Sequence, residues 1–362
     1  MAIRKREWIT PAGEARQAWL VDYRDGQGKR RFKQFARKKD AEAWSTGARW
    51  QVSQGVHTAD SQSITVAEAA ELWIQRAEAN GREQSTVKQY RELKRLHIEP
   101  LIGSERLSQL SMPKVEAFKD RLLEDRSRAM AGKAVRALSS ILTEAQRRGL
   151  VAQNVARGVK VVRPSRTRTR VTVPGRSQLK AMLETADADF RPMLLVAIVT
   201  GLRLSELRGL RWQDIDLKAG RVNVTQRADQ WGEIGPPKSR AGTRTVPIAP
   251  AVVAELKAWK LRCPPGELAF PNGEGGVAHH SNLLRRRFRP CQAKAGIAKP
   301  FGFHALRHAA ASAWIKQGID LKRLSTWMGH GSVQMTLDVY GHLIEDAQAD
   351  ALLASAAGDG LF

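Results

Sequence analysis

The sequence predicts a multidomain protein, mainly α with small β-sheets. A small β-rich N-terminal module comes first, then a helical bundle, then a mixed α+β domain. Three observations carry this prediction. The chain has 362 residues, room for two or three domains at roughly 100–200 residues each. Hydrophobic residues make up 42%, enough for packed cores rather than wholesale disorder. The apolar periodicity changes along the chain, from strand alternation to helical spacing to a mixture of both.

Residues 1–60 form the β-rich module. Ala18-Trp-Leu-Val-Asp-Tyr-Arg is rich in strand formers, and Asp25-Gly-Gln-Gly28 signals a turn. Lys29, Arg30, Arg31 and Lys33 mix with Phe32 and Phe35, predicting a strand with one cationic face and one packing face. A short helix over 38–50 follows. The module carries 13 Lys and Arg against 7 Asp and Glu. A basic two- or three-stranded sheet backed by a helix fits a DNA groove; an ordinary solvated strand face is the plainer reading.

Residues 64–156 read as four helices in one bundle. Thr65-Val-Ala-Glu68 has the spacing of a capping box, with Ala69, Leu72, Trp73 and Ala77 following at helical intervals. Ser85 is expected to cap the second helix, lined by Val87, Tyr90, Leu93 and Leu96. Ser111-Met-Pro113 opens the third, lined by Val115, Phe118, Leu122 and Leu123. The fourth runs over 129–148 and stops at Gly149.

Residues 157–176 are a linker. From Arg157 to Lys180 there are eight basic residues, among them Arg163, Arg166, Arg168 and Arg170, and no acid before Glu184. Proline, serine and threonine break any periodicity here. The segment is either a strap lying across phosphates or a solvated spacer.

Residues 177–345 mix helices with the strands Arg221-Val-Asn-Val-Thr225 and Arg244-Thr-Val-Pro-Ile248. Further helices are expected over 250–262, 281–294, 304–317 and 320–328. The helix at 281–294 carries Arg285, Arg286 and Arg287, a solvated face or a contact to the DNA backbone. Met335, Leu337 and Val339 read as core. The tail, 346–362, has a small apolar stripe that packs on its own domain or on a neighbouring subunit.

The charge balance narrows the function. Sixty Lys and Arg against 36 Asp and Glu give a net charge of +24. That excess implies a polyanionic partner, nucleic acid first and an acidic membrane surface second. The longest apolar run, Pro192-Met-Leu-Leu-Val-Ala-Ile-Val-Thr200, is too short to span a bilayer. The basic start lacks a following apolar segment, so no secretory signal is expected. Two cysteines, Cys263 and Cys291, exclude a disulfide framework and a cysteine zinc module.

No nucleotide-binding Gly-x-x-x-x-Gly-Lys loop and no Gly-x-Ser-x-Gly elbow occurs. The last domain instead holds cations and a tyrosine in short strings. These are Thr200-Gly-Leu-Arg-Leu-Ser-Glu-Leu207, Pro237-Lys-Ser-Arg240, Phe303-His-Ala-Leu-Arg-His308, Met328-Gly-His330 and Thr336-Leu-Asp-Val-Tyr-Gly-His342. In this order and spacing they resemble the tyrosine recombinases, the site-specific DNA integrases of phages and mobile elements. The helical domain is similar to the family's SAM-like core-binding domain, and the N-terminal module to the arm-binding domain of its longer members.

The resemblance implies a set of site residues. Arg203 matches the first catalytic arginine and Lys238 the β-hairpin lysine. His304 and Arg307 match the His-x-x-Arg pair, His330 the following His or Trp, and Tyr340 the nucleophile. Met328 stands where leucine is commoner, a volume-conserving exchange. The chemistry suits these residue types. Two guanidinium forks match the two non-bridging oxygens of a phosphodiester. A tyrosine can form a covalent 3′-phosphotyrosyl bond, releasing a 5′-hydroxyl. His304 can take the tyrosine's proton or donate to the phosphate, and Lys238 can protonate the leaving oxygen.

Each residue alone has a plainer reading: Arg203 as surface, Tyr340 as packing, and His304, His308, His330 and His342 as a metal cluster, which Arg307 disfavours. Two rival functions remain, a type IB topoisomerase and a DNA-binding regulator without catalysis. The resemblance further implies no cofactor and no metal, double-stranded attachment sites as substrate, and a homo-tetramer on DNA. It also implies accessory bending and directionality proteins, no membrane association, and a cytoplasmic, DNA-associated location.

Overall fold

The computed structural model describes residues 1–11, 13–25, 28–53, 60, 62–162 and 173–341. The chain divides into two compact units, Met1–Thr167 and Arg168–Phe362. The linker arginines Arg163, Arg166, Arg168 and Arg170, together with the tail 346–362, lie outside the described residues.

The first unit opens with an antiparallel sheet of three strands in chain order, β1 (Ala2–Ile9), β2 (Ala15–Arg24) and β3 (Arg30–Phe35). In register, Val21 lies between Ile3 and Lys33, and Tyr23 opposite Arg31. Helix α1 (Lys38–Ser53) covers one face through Trp44, whose ring meets Tyr23 at 5.1 Å and Phe35 at 5.7 Å.

The expected split of β3 into a cationic and a packing face does not occur. Alternation has a period of two, so Arg31 and Lys33 share the covered face with Phe35, while Arg30 shares the open face with Phe32. Arg31 donates to the buried Asp25 at 2.9 Å, and Lys33 to Asp60 at 2.5 Å. The open face carries Arg4 and Arg30 on either side of Phe32, with guanidinium-to-ring distances of 5.9 and 5.1 Å. Phe32 is 52% exposed there. Asp22 shares this face and pairs with Arg30.

The bundle contains α2 (Val66–Ala79), α3 (Gln84–Leu93), α4 (Glu99–Ile102), α5 (Met112–Asp125) and α6 (Arg128–Arg147). The capping box forms: Thr65 Oγ1 accepts from the Glu68 amide, and Glu68 accepts from the Thr65 amide at 2.7 Å. Glu83, not Ser85, is the residue before α3, and its side chain makes no capping bond. A π-turn at Lys94–Ile98 joins α3 to α4. Its extra residue rotates the stripe, so Leu96 faces solvent while His97 and Ile98 are buried. Trp73 stacks on Tyr90 at 4.0 Å. The bundle's core continues through Ala156 to Val159, with Val161 packed against it, so this packing reaches beyond residue 156 into the expected linker.

The second unit runs through α7 (Arg176–Thr185), α8 (Arg191–Thr200) and α9 (Leu204–Arg208) into a sheet of β4 (Ile215–Asp216), β5 (Arg221–Val224) and β8 (Arg244–Pro247). Strands β6 (Arg227–Ala228) and β7 (Ile234–Gly235) form a separate hairpin. Then come α10 (Pro250–Lys260), α11 (His280–Asn282), a π-turn at Leu283–Phe288, α12 (Arg289–Lys294), α13 (His304–Lys316), α14 (Leu321–Met328) and α15 (Val333–Tyr340). The apolar helix α8 is the centre: Leu194, Val196 and Ala197 are buried with Val222, Val246, Leu256 and Phe288. Among the described residues no helix is long and apolar enough to cross a membrane.

Candidate active site

Two helix ends build the site. Helix α8 stops at Gly201, in the left-handed region at φ 60°, and α14 stops at Gly329, at φ 62°. Gly329 is required twice over: a Cβ there would lie 2.8 Å from the Ala241 carbonyl. Arg203 follows the first turn and caps α9. Its amide donates to Glu206 Oε2 and its Nη1 to Glu206 Oε1, both at 2.8 Å. Its Nη2 lies 3.4 Å from the Gly329 carbonyl, which ties the two helix ends together.

Arg307 lies one turn into α13 and is 2% exposed. Its Nη1 donates to the Gly201 carbonyl at 2.7 Å and its Nη2 to the Met328 carbonyl. Burial and the neighbouring Arg203 press its pKa down to about 9, so it stays charged at neutral pH. His304 opens the same helix, and partial desolvation of its ring, then the charges of Arg307 and Arg203, lower its pKa. His330 follows Gly329 and accepts from or donates to Thr336 Oγ1 through Nδ1 at 2.9 Å. Burial, then Arg307 and Arg203, push its pKa down to about 4, leaving a neutral imidazole.

Helix α15 presents the tyrosine. Ser332 caps it, accepting from the Met335 amide at 3.3 Å. Thr336 and Tyr340, one turn apart, point inward and are buried. Met335 and Leu337 therefore face outward and are exposed, against the sequence expectation; Val339 packs beside Tyr340. The Tyr340 hydroxyl sits 2.8 Å from His308 Nδ1. Burial pushes its pKa up to about 12, with Arg307 pulling the other way.

Arg203, His304, Arg307, His330 and Tyr340 thus converge. Lys238 is exposed on the loop between β7 and β8. That loop reaches the site at Ala241 and at Gly242, whose carbonyl accepts from Arg244 at 2.9 Å. Four residues that the sequence analysis did not assign complete the arrangement: Glu206, Arg244, His308 and Thr336. Their signals were spacings. Glu206 stands three after Arg203, as in a capping box; His308 stands four after His304, and Thr336 four before Tyr340. Arg244 opens a buried strand, where a charge needs a partner. Among the described residues no three metal-ligating side chains converge.

The other candidate contacts are scattered. Lys29, Arg30, Arg285 and Arg286 are exposed, whereas Arg287 is held by Asp189 at 2.6 and 2.9 Å and by Asp187 at 3.4 Å.

Comparison with known proteins finds integrases and recombinases. The phage integrase family profile matches residues 175–346. A tyrosine recombinase XerC-like protein of Caldanaerobacter subterraneus subsp. tengcongensis is 25% identical, over 96% of this chain and 97% of that protein. An integrase of Streptomyces ambofaciens is 28% identical, over 90% of each. Among solved structures, the Tn1549 transposon integrase in complex with a circular intermediate DNA gives a TM-score of 0.68 at 19% identity, over 83% of this chain and 100% of that one. A lambda integrase tetramer bound to a Holliday junction gives 0.60 at 18%, over 90% and 95%; at these identities the likeness is one of fold.

Residues 175–346 form a phage integrase family domain, and with the full-length relatives this supports a tyrosine recombinase. The chain is a site-specific DNA recombinase, an enzyme of DNA strand breakage and rejoining.

Proposed function

We propose that Tyr340 is the nucleophile of an integrase that inserts and excises a phage or other mobile element. Tyr340 Oη attacks the scissile phosphorus as the bond from phosphorus to the 5′-oxygen breaks. A 3′-phosphotyrosyl bond forms, and the free 5′-hydroxyl of another strand reverses the step. The diester energy is retained, so rejoining needs no ATP. Arg203 and Arg307 bind the non-bridging oxygens. His304 and His330 donate to the same phosphate, and Lys238 protonates the leaving 5′-oxygen.

The remaining roles follow from charge and module order. Residues 1–60 bind arm-type DNA through the open sheet face around Arg4, Arg30 and Phe32. Residues 64–156 clamp the core site with the catalytic domain, and the linker arginines, with Arg285 and Arg286, lie along the backbone. The active assembly is a homo-tetramer on double-stranded attachment sites in the cytoplasm, aided by bending and directionality proteins. The tail links neighbouring subunits.

The observation that carries this reading is the meeting of Arg203, Arg307 and His330 at the ends of α8 and α14, with the buried Tyr340 held against α13 through His308. A nicked duplex containing the attachment site tests it on a denaturing gel. The wild-type chain is expected to form a covalent adduct, and Tyr340→Phe to bind DNA without one. Absence of adduct from the wild type would indicate a regulator; adduct on any sequence, a topoisomerase.

A further inference from the structure

His304 is the histidine that the resemblance places in the catalytic set, able to take the tyrosine's proton or to donate to the phosphate. The geometry selects another. His308 Nδ1 lies 2.8 Å from Tyr340 Oη, and the two rings pack with centroids 5.6 Å apart. His304 packs edge-on against His308, with ring centroids 4.9 Å apart. A general base must lie within hydrogen-bond reach of the proton it takes, and His308 does.

We infer that His308 is a further catalytic residue, the proton acceptor for Tyr340. In the resting site the phenol donates to Nδ1, which fixes His308 as the tautomer protonated at Nε2. During attack the Tyr340 O–H bond breaks as the Oη–phosphorus bond forms. The proton passes to His308 Nδ1, giving an imidazolium, while the 5′-oxygen leaves with a proton from Lys238. In rejoining, the imidazolium returns its proton to the departing phenolate. The groups around His308 are Tyr340 from α15 and, on its own helix, His304 and Arg307. Burial and these two neighbours hold its pKa near 4 in the resting protein. A phosphate seated on Arg203 and Arg307 offsets their charge, so the base strengthens when substrate arrives.

The inference rests on Tyr340 as nucleophile, and the test separates the two. The full chain reacts in a single turnover with a nicked attachment-site duplex from the junction flanking the element, over pH 6–10. His308→Asn keeps an acceptor near Nδ1 but cannot carry the proton. Adduct formation is expected to slow about a hundredfold or more at neutral pH, with DNA affinity unchanged. Its rate should then climb with pH where the wild type is level, as hydroxide replaces the base. His304→Gln is expected to slow the reaction without this change in profile. A His308→Asn rate and profile matching the wild type overturns the inference, as does the climbing profile appearing in His304→Gln instead. If Tyr340→Phe still forms adduct, the nucleophile itself is wrong. His308→Gln serves as the second variant if the first fails to bind DNA; the same two outcomes decide it.

Discussion

Arg244 and Glu206 form a buried, doubly hydrogen-bonded ion pair, with Nη1 to Oε1 at 3.0 Å and Nη2 to Oε2 at 2.9 Å. Arg244 Nε also donates to the Trp327 carbonyl at 2.6 Å. The same carboxylate holds Arg203, so strand β8 positions the arginine at the head of α9 through one shared acid. Removing one member leaves an uncompensated buried charge, at a cost of about 3–5 kcal/mol. Glu206→Gln is therefore expected to lower unfolding stability in urea by that order and to slow adduct formation. Unchanged stability would show that the pair is dispensable. Arg244→Lys is expected to fail similarly, because an ammonium cannot form the paired fork.

Acid should weaken the fold in two windows. Burial alone would raise the Glu206 carboxyl, but Arg244 and Arg203 outweigh it and hold the pKa below its ordinary 4.5. Its contribution is full above 4.5 and is lost as pH falls through the depressed folded value. His308 and His330 act higher. Both are neutral when folded, with pKa values near 4 against an ordinary 6.5. Between those values the unfolded chain binds more protons, so stability falls as pH drops from 6.5 toward 4. Urea midpoints measured across pH 3–8 check both windows. The double variant His308→Gln, His330→Gln should flatten the upper one and leave the lower one intact.

The open face of the N-terminal sheet gives a modular prediction. Replacing Arg4 and Arg30 with Gln should weaken binding to arm sites and flatten the salt slope by about 2. Deleting residues 1–60 should abolish recombination that needs arm sites and leave adduct formation at an isolated core site. Equal recombination of full attachment sites by the truncated chain would remove the arm role.

The linker predicts a different signature. Each phosphate contact adds roughly 0.9 to the slope of log affinity against log salt. Arg166, Arg168 and Arg170 replaced together by Gln should lower affinity equally on target and random DNA and flatten the slope by about 2–3. Binding isotherms at several salt concentrations distinguish this from an unchanged slope, the mark of a solvated spacer. A loss confined to the target would mean that these arginines read the minor groove.

Much of the fold was legible because its signals are local. Thr65 and Glu68 announce a helix start by themselves, and the apolar spacing of α5 and α6 leaves little choice of face. What escaped depends on geometry that a spacing rule does not hold. The π-turn after Leu93 adds a residue that turns Leu96 outward, and only the packed bundle makes that insertion favourable. Strand parity was readable for Arg31 and Lys33, but their acids, Asp25 and Asp60, lie on other segments. In the active site the reactive side chains stood out as unusual strings. Their supports did not: Arg244 reaches Glu206 across 38 positions and looks in sequence like any strand-edge cation.

The contacts of Arg307 carry one consequence for how charge is held at the site. A guanidinium has five N–H donors, and this one commits two to carbonyls at the C-terminal ends of α8 and α14. Those ends are the negative poles of the helix dipoles. The cation is thus hydrogen-bonded by oriented backbone, while Glu206 acts on it through its charge. The field that holds this guanidinium in place belongs to the main chain.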